Sequence, residues 1–165
     1  GGSGEVVYRV NAGGGEVAGS PVWSVDTLAS PSPLLSGSDR VASTGASIDV
    51  SGVDAPAEVF ASERWDRSSG ADMAWTFPVV DGEYEVRLFF AETYAPNFAA
   101  GSRVFDVELE GAVVLDGFDP FVAAGAGDTA VMESFVVSVV DGAIDVEFLR
   151  DVENPMVNAI EILEA

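Results

Sequence analysis

Histidine, cysteine and lysine are all missing from this 165-residue chain. Without histidine there is no Ser-His-Asp triad, no imidazole base and no histidine-ligated metal. Without cysteine there is no thiol nucleophile, zinc knuckle, iron–sulfur cluster or disulfide. Without lysine there is no Schiff base and no Walker-type phosphate loop. Positive charge of any kind is scarce: seven basic residues, all arginine, stand against 28 Asp and Glu, for a formal net charge of −21. Such a surface repels phosphate backbones and anionic lipid, so neither nucleic acid nor a membrane surface is an expected partner. No apolar run approaches the ~20 residues that span a bilayer, so no membrane insertion is expected, and no signal peptide is read at the start. What remains is carboxylates, hydroxyls, amides, guanidinium groups and aromatics. That inventory suits a binding module better than an enzyme, and no catalytic residue is assigned.

There is enough apolar material for a folded core. Hydrophobic residues make up 48% of the chain, and the length suits one domain. Gly1-Gly2-Ser3-Gly4 reads as a linker, leaving residues 5–165 as the domain. An acidic, lysine-free surface points to a halophilic source. Molar salt screens self-repulsion beyond ~3 Å, and the carboxylates hold water at the surface.

Strand patterns separated by turn signals fill the sequence. Tyr84, Val86, Leu88 and Phe90 share one face of a strand that follows the Asp81-Gly82 turn. Phe105, Val107 and Leu109 alternate with acids until Gly111. Thr129 to Val140 is a long apolar strand, and Asp141-Gly142 then predicts a hairpin into Ile144, Val146 and Phe148. Val157 to Leu163 is the last strand, and Ser20 to Ser47 is expected to be an irregular excursion. Sustained helical periodicity is lacking, so the predicted fold class is all-β: a two-sheet antiparallel sandwich or jelly roll.

Few segments carry chemistry. Gly13-Gly14-Gly15-Glu16-Val17-Ala18 fits a dinucleotide pattern on paper, but Ser and Pro follow where a helix is required, so it reads as a turn. Paired carboxylates for glycoside hydrolysis must flank a cleft, which spacing alone does not show. Asp116-Gly117-Phe118-Asp119-Pro120 offers oxygens that could serve a structural calcium ion, without the spacing of a dedicated loop; no other metal or cofactor is assigned. The aromatics say more. Trp65 lies in a polar context after an expected short strand, Glu58 to Phe60, and Tyr94 lies just past the strongest strand. An exposed ring face beside planar acceptors suits a sugar, whose C–H face stacks while its hydroxyls hydrogen-bond. Trp23, Trp75 and Tyr84 are assigned to the core.

Five phrases in order resemble the malectin domain, a carbohydrate-binding β-sandwich family. Arg9-Val10-Asn11-Ala12-Gly13-Gly14 resembles its opening strand and turn, and Val59-Phe60-Ala61-Ser62-Glu63-Arg64-Trp65 its "LYQSERY" segment. Tyr84 to Tyr94 is similar to its "Y-V-L-F-A-E-Y" strand, Gly101 to Val107 to its "G-R-FDV" strand, and Glu153 to Ile162 to its closing "DNPKISAIEI". The resemblance spans residues 7 to 163. It implies a malectin-like jelly roll that binds glycan or oligosaccharide at one end, without cleaving it, in an extracellular or cell-surface protein. Carried over by position, the ligand-binding residues are Trp65 (Tyr in the family), Tyr94, Glu153 (Asp in the family) and Asn154. Ala95 stands where some members have a second aromatic, and no Tyr occurs near Ser43 and Thr44. Glu63, Arg64, Glu92, Arg103 and Asp106 are expected in a structural ion-pair and hydrogen-bond network, with Asn11 and Asn154 bracing turns. The alternative is a structural or assembly domain of a surface layer, filament or adhesin. There, neighbouring domains or subunits would hold the Gly-rich end by strand addition.

Overall fold

The computed structural model describes residues 4–165, so the proposed linker lies outside the described residues apart from Gly4, whose N–H donates to the Glu164 carbonyl. Twelve strands are present among them: β1 (Val6–Asn11), β2 (Leu35–Ser36), β3 (Arg40–Ser43), β4 (Ser62–Trp65), β5 (Ala74–Pro78), β6 (Gly82–Ala91), β7 (Val104–Leu109), β8 (Ala112–Phe118), β9 (Ala130–Val139), β10 (Ala143–Val152), β11 (Met156–Val157) and β12 (Ala159–Glu164). They form a four-stranded sheet, β1-β12-β6-β9, a five-stranded sheet, β2-β5-β10-β7-β8, and a small sheet, β11-β4-β3. All named strand pairs are antiparallel. The fold class is the expected two-layer all-β sandwich, with the small sheet added at one end.

Period-two alternation fills the space between the layers. Val86, Leu88 and Phe90 of β6 with Ile160 and Ile162 of β12 meet Trp75, Phe77, Phe105, Val107, Ile144, Val146 and Phe148 of the other sheet, and every one is fully buried. Each such side chain contributes roughly 1.5–3 kcal/mol of burial. The opposite face of the four-stranded sheet is also covered. Phe89, Ala91 and Ala159 pack there with Trp23 from the long excursion and with Val59 and Phe60 from the segment before β4. Trp23, Trp75 and Tyr84 are buried, as their contexts predict.

Four local expectations are corrected. The Asp141-Gly142 turn does not close a hairpin: β9 pairs with β6, whereas β10 pairs with β5 and β7 in the other layer. Asp81-Gly82 makes the same crossing from β5 to β6, and the two turns lie together, the Gly142 N–H donating to Asp81 Oδ1 at 3.0 Å. Turn chemistry specifies a reversal, not the layer in which the next strand lands. Glu58 to Phe60 is a 3₁₀ turn (Ala57–Phe60) entered through Pro56, because two apolar residues carry no period. Trp65, read by its polar context as a residue of the connection after that segment, instead ends strand β4. The excursion expected to be irregular contains β2 and β3.

The loop considered for calcium starts a short helix, α1 (Pro120–Ala124), whose N-cap is Asp119. Both Asp119 oxygens are engaged, Oδ1 accepting from the Val122 N–H and Oδ2 from the Gly101 N–H. Asp-Pro at a helix start is a capping signal, and capping uses the carboxylate that a cation would need. No cluster of three or more acidic residues able to hold a metal ion occurs among the described residues.

Candidate functional site

The small sheet fixes one wall of a cleft at the end of the sandwich. Alternation along β4 sends Glu63 and Trp65 into the cleft and Arg64 behind it. There the Arg64 guanidinium forks onto Asp26, with Nη2–Oδ1 at 2.7 Å and Nε–Oδ2 at 3.0 Å, and both side chains are buried. Asp26 also accepts the N–H groups of Gly13 and Ser32. Gly13 passes so close to β4 that a Cβ would lie 2.2 Å from the Glu63 carbonyl oxygen, and its φ of +77° is left-handed. Glycine is therefore required there, which accounts for a motif that looks nucleotide-like in sequence.

The second wall follows β6. Asn158 ties the two together, its Nδ2 donating to the Ser62 carbonyl at 2.8 Å and its Oδ1 accepting the Ala91 N–H at 2.8 Å. Beyond Ala91 the chain leaves the sheet through Glu92 and Thr93 to Tyr94, which starts a 3₁₀ turn (Ala95–Asn97) and is 56% exposed. Trp65 is half-buried, partly packed against the main core and flanked by Arg40 and Met156 in its sheet. The third side is the β10–β11 connection carrying Glu153 and Asn154. Arg150 clamps it by donating to the carbonyls of Glu153 and Asp66, each at 2.6 Å.

Arg103 links these walls beneath the cleft. It forks onto Glu92, with Nε–Oε1 at 2.7 Å and Nη2–Oε2 at 3.2 Å. Its Nη1 donates to the Asn154 carbonyl at 2.5 Å and lies 3.2 Å from Glu153 Oε2. Glu153 Oε2 also accepts the Asn154 N–H at 2.6 Å. The cleft has a volume of about 350 Å³ and is lined by Ala42, Ser43, Glu63, Trp65, Thr93, Tyr94, Arg103, Glu153 and Asn154. That volume lies at the small end of the ~300–1,000 Å³ range of ligand sites. Ala42 and Ser43 form the wall near which the family carries a further Tyr, so that side is lined by small residues.

Trp65, Tyr94, Glu153 and Asn154 thus come together at one cleft. Among the described residues the Asn154 side chain donates to Glu153 Oε1, at 3.4 Å, and to no backbone carbonyl, so it does not brace a turn there. Asn11 does brace one, donating to the Gly15 carbonyl at 2.8 Å. Arg64, Glu92 and Arg103 form buried ion pairs, and Asp106 accepts the Gly117 N–H. Glu63 departs from that expected network. It is 5% exposed and has no ion pair among the described residues, its one described hydrogen bond being donated by Thr93 Oγ1 at 3.4 Å. Burial pushes its carboxyl up to about 7, against the nearby positive charge of Arg103 and with a further upward contribution from Glu92.

A two-sheet antiparallel sandwich with an aromatic-walled, acid-floored cleft at one end is the class of domain these features define. A family model, the malectin domain, matches residues 6–160, and the chain belongs to that family. Its structure is similar to the ANXUR1 extracellular domain from Arabidopsis thaliana (TM-score 0.81, 18% identity, 97% of this chain and 49% of that one). It is also similar to the plant receptor-like kinase FER (0.80, 18%, 96% and 49%). A third likeness is to a Bacteroides uniformis beta-glucuronidase (0.75, 16%, 96% and 18%). These identities establish the shared fold only. The chain spans about half the length of the receptor structures and less than a fifth of the glucuronidase. No curated protein sequence matches it.

Proposed function

We propose that this chain is a non-catalytic carbohydrate-binding module of an extracellular or cell-surface protein from a halophile. Trp65 and Tyr94 offer ring faces to a sugar, and Glu153 and Asn154 read its hydroxyls. The observation that carries this reading is the convergence of both aromatics and both polar groups on a single open cleft. Receptor ectodomains of the same fold agree with an extracellular setting. The carboxylates fit binding better than hydrolysis: Glu92 is locked in a fork with Arg103, and Glu153 is held by Arg103 and its own backbone, so neither is a free nucleophile. With few anchors, affinity in the range ~0.1–1 mM is expected, roughly 4–5.5 kcal/mol.

The test is a glycan screen in molar salt followed by Tyr94→Ala, because Tyr94 is exposed and its truncation leaves the core intact. A hit weakened at least fivefold supports the site. A screen without hits, or a hit indifferent to Tyr94, defeats it.

A second reading, assembly with neighbouring subunits, draws on the far end of the four-stranded sheet. Val80 and Val140, beside the two crossing turns, are 78% and 84% exposed on an otherwise acidic molecule. One matched structure is of plant peptide RALF23 in complex with FER and LLG2, so a domain of this fold occurs in a protein assembly. Light scattering in high salt separates the readings, since a monomer at all concentrations counts against assembly.

A further inference from the structure

Glu63 is the group in the cleft whose chemistry is left open by the ion-pair network. Arg103 is the cation there, and it is already committed to Glu92, Glu153 and the Asn154 carbonyl. Glu63 lies too far from Arg103 for an ion pair, is nearly enclosed and receives one long hydrogen bond from Thr93. The groups facing it can be named wall by wall. The end of β6 contributes Glu92 and Tyr94, the segment before β7 contributes Arg103, and the β10–β11 connection contributes Glu153. Ala42 is its partner in β3, Met156 and Val157 in β11 are apolar, and the Gly13 turn presents backbone. Ionising Glu63, itself only 5% exposed, would place a third carboxylate around one guanidinium, which is unfavourable without a new cation. A neutral acid avoids that cost and converts an acceptor into a donor.

We propose that Glu63 is the specificity-determining residue of this cleft, a carboxylic acid that keeps its proton and donates it in a hydrogen bond to an oxygen of an uncharged glycan. This rests on the carbohydrate-binding reading and adds the ligand's charge class to it. Neutral sugars are accepted because they supply an oxygen to the O–H. Uronic or sulfated sugars are rejected because they bring an anion to Glu92 and Glu153. Binding is pH-dependent, since deprotonation leaves two acceptors facing each other. With the carboxyl at about 7, protonated Glu63 falls about 30-fold between pH 5.5 and pH 8.5, and affinity falls with it.

The experiment uses the full chain in molar KCl. Calorimetric titrations at pH 5.5 and 8.5 take maltose and cellobiose as neutral probes, cellobiouronate as the anionic one and the glucosamine dimer as the cationic one. The expected result is a neutral probe bound about 30-fold more weakly at the higher pH and no cellobiouronate binding at either. In Glu63→Gln, whose amide donates at every pH, that loss disappears. A pH-independent affinity in the parent, an unchanged slope in Glu63→Gln, or preference for the glucosamine dimer would overturn the proposal. Carbon-13 NMR titration of the Glu63 carboxyl in the unliganded chain decides independently of any sugar. An ionised Glu63 at pH 5.5 sinks the proposal even if sugars bind. A protonated one with no sugar bound sinks the carbohydrate reading and leaves the state of the acid intact.

Discussion

Glu63→Gln removes one titration from the folded state, and the size of its effect on stability follows from the burial of that carboxyl. The folded group titrates at about 7 against an ordinary value of 4.5, because burial disfavours its charged form more than Arg103 favours it. In the unfolded chain the proton leaves near 4.5, whereas the folded chain holds it until about 7. The stability from this group is therefore fully present below pH 4.5, declines as pH rises through that window and is gone above it. A displacement of 2.5 units at 1.36 kcal/mol each comes to about 3 kcal/mol. Urea unfolding of parent and variant in molar KCl, between pH 4.5 and 8.5, measures it. Asp66, Glu110, Glu133 and Glu147 are also pushed up by burial, so the parent declines with pH for several reasons. The difference between the two proteins isolates Glu63. The variant should gain about 3 kcal/mol on the parent across the window and hold that gain above it. Parallel curves, or a gain that grows toward acid pH, would refute the reasoning.

Three further outcomes are expected. Arg64→Met strands Asp26 as an unpaired buried charge and should cost about 3–5 kcal/mol in urea unfolding, whereas a cost below 1 kcal/mol would mean that the Asp26 fork is not structural. Gly13→Ala drives a Cβ against the Glu63 carbonyl at a left-handed φ and should destabilise by at least ~1–3 kcal/mol, with a stability equal to the parent's contradicting that close approach. Transfer from molar to millimolar salt should lower the melting temperature, because 28 acids face seven arginines, and an unchanged melt would remove the halophile argument.

The layers were legible because their residues obey one local rule. Every second side chain of Tyr84–Phe90 and Phe105–Leu109 is apolar, and those side chains are the core. The Asp141-Gly142 crossing was not legible, since the same dipeptide serves a hairpin or a change of layer, and long-range pairing decides between them. Asp119-Pro120 was ambiguous between a helix cap and a cation loop for a related reason: one carboxylate suits both, and the neighbouring backbone N–H groups are invisible in sequence. At the cleft, residue types pointed to Trp65 and Tyr94, and the resemblance to the malectin domain added Glu153 and Asn154, but neither could show how the ion pairs divide. Glu63, Glu92 and Glu153 are equivalent on paper as partners of Arg103. Only the fold reveals that two of them take the guanidinium and leave the third alone beside the aromatic rings. Asn158, the clasp between β4 and β6, lies within the closing phrase, but its part is invisible there because its two partners lie 67 and 96 residues away.

The most direct test of the account is the dissociation constant of a neutral oligosaccharide for the parent and for Tyr94→Ala, measured side by side in molar KCl at pH 5.5. The account predicts submillimolar to millimolar binding by the parent and at least fivefold weaker binding by a variant that melts at the parent's temperature. Equal affinity in the two proteins would contradict it.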